Sequence, residues 1–538
     1  MKLNRIILTV LAGALTLSSC SDFLDESPKG QLSNSNFFST QDELNMAVYA
    51  LYSQVTNTQV NTNPWIWRWA GDDLTTTTGS NKQAYEEVDG FHPSNTNKGV
   101  DALWNTSYSV IKAANYIVES ASKTPTTQEE INIAIGQAKA WRAIQYFYLV
   151  RAFGPLPMNL TGDIDYERPL SSVADVYAQI EKDLKDAIQM LPTSYTGAPR
   201  NVNGANVYIT KQAAMSALVA VYMAEGGWPL NDNSKYAEAA ALAKQVIDGV
   251  ESGDYEYIIE PSYYDVYAPS HNYTKECVLG INFGTKFGYW WEDSQMSSCN
   301  MYVSLGGWGD GLGEIQFWKD FPEGVRKDAT YNKKVLYDNG RNTDPTDPNN
   351  GKMMNWWEKC SSGYNEYQPL FRIWSVGEGS TDYDYTKTAS GVMCTDQRHR
   401  LIRYSEVLLW YAEAQARSTG NPDALAYKCL NKVRTRAGEA EVSGLSAADF
   451  ADLCVKEHGW EVAGYWVALV SRREDQLRTN TLKATFDRRK ANAAIEVAPG
   501  VSVKEKVVIP STVNWEEGKS VYLPYPSFDT ELNGNLKR

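Results

Sequence analysis

Seventeen tryptophans and 33 tyrosines in a chain with a mean hydropathy of −0.43 put many flat rings into an otherwise polar polymer. Flat indole and phenol faces suit one kind of recognition well. A sugar ring presents a patch of C–H groups that stacks on an aromatic face, while its hydroxyls need Asp, Asn or Arg at the edge. Three clusters have that composition. The first is Trp65-Ile66-Trp67-Arg68-Trp69, followed by Gly71-Asp72-Asp73; in an extended strand, alternation would put Trp65, Trp67 and Trp69 on one side. The second is Tyr289-Trp290-Trp291, with Trp308 downstream in the glycine-rich turn Gly306-Gly307-Trp308-Gly309. The third is Trp356-Trp357, with Arg372 and Trp374 beyond it. Trp65, Trp67, Asp73, Trp290, Trp291 and Trp308 are the expected glycan contacts. Burial is the competing fate for each, because most Trp side chains are largely buried in any protein. Asp72 and Asp73 suit bracing a turn as well as touching a sugar.

Catalytic patterns are missing. The sequence has no Gly-x-Ser-x-Gly elbow, no His-Glu-x-x-His and no phosphate-binding loop. Glu457, His458 and Glu461 fall on a predicted helix and read as a solvated or salt-bridged face. Six cysteines, Cys277, Cys299, Cys360, Cys394, Cys429 and Cys454, form no C-x-x-C pair and have no zinc-like spacing with the four histidines. We therefore expect a non-enzyme with no catalytic residue, cofactor or metal ligand, and leave disulfide pairing open. A net charge of −14 and a pI near 5.0 disfavour nucleic acid and anionic lipid, which repel a chain of their own sign, and favour a neutral ligand.

The elements that must hold these clusters are helical at both ends of the chain. Thr40 with Glu43 and Ser172 with Asp175 read as capping boxes. Gln137 to Phe153 carries a helical stripe that stops at Gly154-Pro155, and Thr210 to Glu225 is Ala-rich, with Lys235 to Val250 as its partner. The spacing predicts further helices over Leu401 to Ser418, over a segment capped at Asn421-Pro422 and running to Ala437, and from Ser446 through Trp460. Antiparallel pairs of this length look like degenerate tetratricopeptide units. From about Gly253 to Arg398 the helical signal gives way to Gly, Asp, Asn, Tyr and Trp, an ordered loop-rich insertion. The expected fold is all-α, a tetratricopeptide-like helix-pair scaffold (an α/α superhelix) carrying that insertion.

The N-terminus reads as an export signal, basic over Met1–Arg5 and apolar over Ile6–Leu17, a run too short to span a bilayer. Leu17-Ser18-Ser19-Cys20 resembles a lipobox, with lipid attached at Cys20. The expected division is a signal peptide over 1–19, a lipidated acidic tether over 20–35, a helical scaffold over 36–252, a loop-rich ligand-binding subdomain over 253–398 and a C-terminal helical region over 399–538.

Several separated segments, in order, resemble the SusD/RagB family of outer-membrane nutrient-binding lipoproteins. They include Cys20-Ser21-Asp22-Phe23-Leu24-Asp25, Pro28-Lys29-Gly30, Ala140-Trp141-Arg142-Ala143 and Phe153-Gly154-Pro155-Leu156-Pro157. The strongest run is Ile402-Arg403-Tyr404-Ser405-Glu406-Val407-Leu408-Leu409 with Tyr411-Ala412-Glu413-Ala414, followed by Leu430-Asn431-Lys432-Val433-Arg434. Gly464, Trp466, Leu469 and Arg472 match a further family element, whereas Tyr465 and Ala468 depart from its usual Phe and Asp. The resemblance implies a protein on the outer face of the outer membrane. It would bind an oligosaccharide or polysaccharide and sit as a lid on a SusC-like TonB-dependent transporter. Capture of peptides or glycoproteins by a related lid, and a secreted glycoside hydrolase, are the alternatives.

Overall fold

The computed structural model describes residues 37–163, 165–284, 294–303, 307–336, 346, 348–349, 351–358, 368–374 and 395–537. Cys20, Trp290, Trp291, Cys360 and Cys394 lie outside the described residues.

Helix starts in this chain are marked by side chains able to accept from a free backbone N–H. Thr40 and Glu43 form a reciprocal box at the head of α1 (Gln41–Asn57). Asn97 caps α2 (Lys98–Ser120), and Thr127 caps α3 (Gln128–Phe153). Ser172 and Asp175 box α4 (Val173–Met190), and Thr210 caps α5 (Lys211–Gly226). The next helix, α6 (Ser234–Ser252), stops where Gly253 turns left-handed at φ 84°. Successive helices pack on one another from α1 through α6. Close approach is bought with small residues: a Cβ on Gly136 of α3 would lie 2.6 Å from Leu191 at the end of α4. Ala213, Ala214, Ala217 and Ala220 of α5 are all buried between its neighbours.

After α6 the chain leaves this row and returns to it at α7 (Tyr404–Thr419), which packs against both α5 and α6. Then α8 (Ala424–Arg436) and α9 (Ala447–Glu461) pack on α7, and α10 (Arg472–Arg478), α11 (Leu482–Ala491) and α12 (Ser527–Leu532) close the helical part. The expected helix-pair scaffold is thus present. Among the described residues the intervening segment contributes only short elements, including helices over Met296–Asn300, Ile315–Asp320 and Val325–Thr330. Four short strands stitch it to the scaffold in antiparallel pairs. Of these, β1 (Leu74–Thr75) pairs with β3 (Leu312–Gly313), and β2 (Cys277–Ile281) pairs with β4 (His399–Arg403). No helix among the described residues is long and apolar enough to cross a membrane.

Three local expectations change. Leu401 is not helical: it lies in β4, and the helix begins only at Tyr404, where Glu406 accepts from the Arg403 N–H. The cap of α8 is Asp423, not Asn421, because its carboxylate reaches the Ala426 N–H at 2.7 Å. Trp65 to Trp69 is not a strand. Pro64 starts a 3₁₀ helix over Asn63–Ala70 that buries both sides of the segment.

Burial of charge is extensive near the C-terminal helices. Glu457, His458 and Glu461 are salt-bridged but not solvated, all at or below 1% exposure. Arg326 binds Glu457 at 2.7 Å, and Arg403 binds Glu461 at 2.8 Å; Arg434 and Arg436 complete the pairs. Burial alone would raise the Glu461 pKa, but Arg436, Arg403 and Arg326 outweigh it and hold it at about 2. Burial likewise opposes a charged His458, yet Asp475 at 2.5 Å and Glu406 push its pKa up to about 9.

Candidate functional site

The first tryptophan cluster is a structural keystone. Trp65, Trp67 and Trp69 are 1%, 0% and 0% exposed, so none offers a face to a ligand. Arg68 explains why. Its guanidinium is fully buried, 4.8 Å from the Trp65 ring centre and 5.0 Å from that of Trp67. It donates to Glu474 at 3.0 Å and to the backbone carbonyls of Trp466 and Ala468 at 2.6 Å each. A buried cation needs such partners, and the indoles around it exclude water. Asp73 is also a correction. At 2% exposure it accepts from the Gly464 N–H at 2.9 Å, and burial raises its pKa to about 7. Its neighbour Asp72 braces a turn, gripped by Arg472 through two bonds of 2.8 and 3.0 Å.

Trp308 has a different environment. It is half-buried, against the edge of the main core. The Met296–Asn300 helix and the residues after it position it: the Trp308 N–H donates to Ser298 O at 2.8 Å, and Gly309 N–H to Met301 O at 2.8 Å. Gly309 takes φ 61°, a left-handed conformation that costs a residue with a Cβ. The Thr76 and Thr77 hydroxyls both donate to the Gly309 carbonyl at 3.3 Å. Asp310 is paired with Lys82 and accepts from Thr62 at 3.3 Å, while its carbonyl takes the Trp69 indole N–H at 2.8 Å. The buried first cluster therefore fixes the turn that carries Trp308. Beside the Thr77 clasp the chain runs through exposed Thr78, Gly79, Ser80 and Asn81, where hydroxyls and an amide stand in water. A half-buried indole can stack on the C–H face of a sugar.

The third cluster divides. Trp374 is fully buried, stacked on Tyr465 at 4.7 Å and Trp466 at 4.6 Å. Trp356 is 4% exposed, but Trp357 is half-buried and meets Trp318, another half-buried ring, at 5.6 Å. Arg372 lies over Tyr264 instead. Trp318 carried no signal in the sequence, since it stands alone in a short helix with no flanking glycines. The polar loop over residues 78–81 was also missed, and its Thr-Gly-Ser-Asn composition was the available cue.

Residues 22–223 match a family model described as starch-binding associating with outer membrane, and residues 307–538 match the model of the SusD family. A SusD-like protein of Bacteroides ovatus is 25% identical over 483 residues, covering 86% of this chain and 81% of that one. Among solved structures, a SusD homolog from Bacteroides thetaiotaomicron superposes with a TM-score of 0.73 at 22% identity, covering 93% of this chain and 97% of that one. Another similar structure, with xylogluco-oligosaccharide, gives a TM-score of 0.70 at 20% identity over 92% of this chain and 98% of that one.

Proposed function

The chain belongs to the SusD/RagB family, and from that premise we propose that it is a cell-surface glycan-binding lipoprotein. In this reading Cys20 carries the lipid that holds it on the outer membrane, and the bound oligosaccharide passes to a SusC-like TonB-dependent transporter. The observation that carries the reading is Trp308, a half-buried indole on a turn locked by Thr76, Thr77 and the Lys82–Asp310 pair. Rigid placement matters because a preorganised ring loses little entropy when a sugar covers it. Trp290 and Trp291 remain in the proposed contact set with Trp308; Trp65, Trp67 and Asp73 are buried in the scaffold, to which the turn is tied through Trp69 and Asp310.

Support also comes from a family model described by starch binding and outer-membrane association, and from the similar structure with xylogluco-oligosaccharide. Affinity electrophoresis of the purified protein through gels containing starch, xyloglucan, laminarin, xylan or mannan tests the reading. Retardation by at least one polymer is expected. A folded protein that migrates unretarded in all of them refutes it.

A further inference from the structure

A second concavity opens between α2 and the C-terminal segment, built from residues that have no part in the Trp308 turn. We propose that it is a separate binding site for one neutral sugar unit. Its volume is about 360 Å³, at the small end of the range for small-molecule sites and too small for a folded partner. Trp104 and Tyr108 of α2 form one wall, their rings 4.8 Å apart. Phe528 of α12 and Tyr166 stand at the rim, 68% and 60% exposed. Two large rings left in water beside a cavity are the apolar faces a pyranose would cover.

The polar groups between these rings point to a hydroxyl-rich ligand. Asn159 is 8% exposed. Its backbone carbonyl accepts from Asn115 at 3.1 Å and from the Tyr146 hydroxyl at 2.7 Å, but its side-chain Oδ1 has no partner. An unpaired buried acceptor is unfavourable, and because this oxygen is covered in the structure, a ligand hydroxyl would pair it only as the Asn159 amide turns toward the cavity that it lines. Asp529 supplies a second acceptor; it lies by the Trp104 indole N–H and makes no salt bridge among the described residues. The charged lining is Lys112 against Asp165 and Asp529. Asp165 is already paired with Arg168 at 3.7 Å, which leaves one cation and one carboxylate in a near-neutral lining that fits neutral sugars better than uronates or phosphosugars.

The site goes beyond the Trp308 reading and is testable apart from it. Saturation-transfer NMR would be run on the full-length Trp308→Ala protein with methyl glucoside, galactoside, mannoside and xyloside, each at about 10 mM, where weak sites are populated. Saturation of the ring protons of at least one glycoside is expected. Ser109→Trp, at an exposed position on the cavity lining, fills the mouth without removing a wall and is expected to abolish the signal. The Tyr166→Ala/Phe528→Ala pair should weaken binding about five-fold or more. No transfer to any glycoside, or transfer that Ser109→Trp leaves intact in a protein of wild-type melting temperature, overturns the proposal. Glycoside binding that Ser109→Trp removes and Trp308→Ala leaves unchanged upholds this site even where the Trp308 reading fails.

Discussion

Replacing Arg68 with Met probes the keystone beneath the Trp308 turn. Met keeps much of the aliphatic volume between the Trp65 and Trp67 rings but removes the cation bonded to the Glu474 carboxylate, 1% exposed, leaving it only the more distant charges of Arg151 and Arg473. Breaking a buried pair by removing one partner costs about 3–5 kcal/mol. The carbonyls of Trp466 and Ala468 also lose the donors that reach them at 2.6 Å, and orphaned buried acceptors put the loss near the upper end of that range. Glu474→Gln is the companion change. Glu474 also accepts from the Ser471 N–H at 2.6 Å as a helix cap, and the Gln oxygen can keep that bond while removing the stranded charge. Urea unfolding of the four proteins, followed by tryptophan fluorescence, gives the cycle. The expected result is an Arg68→Met loss of about 3–5 kcal/mol, of which the double variant recovers about 1–2 kcal/mol. An Arg68→Met loss below about 1 kcal/mol, or a double variant that is the sum of the singles, would refute the role assigned to this pair.

Other expectations are local. Because burial raises the Asp73 pKa from the ordinary carboxylate range to about 7, the native state resists its ionisation while the unfolded chain does not. Its contribution is fully present below about pH 4 and is lost as the pH rises through 7, up to about 4 kcal/mol as an upper bound. Asp73→Asn should therefore flatten the stability profile between pH 4 and 8, and a profile parallel to wild type would count against this. Cys277, Cys299, Cys429 and Cys454 are buried free thiols, and burial pushes Cys429 up to about 12. Peptide mapping after alkylation should find all four unmodified in the native protein and modified in urea; native labelling of any of them contradicts their burial. Gly309→Val forces a β-branched residue into a left-handed turn at a cost of about 1–2 kcal/mol. It should weaken glycan retardation while leaving the fold intact, and unaltered retardation would separate the turn from the site.

Much of the scaffold was legible because helix signals are local. Thr40–Glu43, Ser172–Asp175 and Ser446 all cap as their spacing implied. The strand His399–Arg403 was not legible, since its partner Cys277–Ile281 lies more than a hundred residues away and only pairing distinguishes it from the helix that follows. Exposure of the tryptophans was hardest to read. Alternating indoles at 65, 67 and 69 suggest a platform, but Arg68 makes them a core through Glu474, a residue 406 positions distant. The half-buried setting of Trp308 agrees with the turn that Gly307 and Gly309 beside it suggest. Asn159 and Phe528 come to one cavity from distant parts of the chain and leave no pattern along it.

In the proposed function an indole locked at position 308 is the stacking face for a glycan. Isothermal titration of a glycan that retards the wild-type protein, against wild type and Trp308→Ala of equal melting temperature, tests it most directly. Loss of the ring face is expected to weaken binding by about 1–3 kcal/mol, or roughly five- to a hundred-fold. Equal affinities for the two proteins would contradict it.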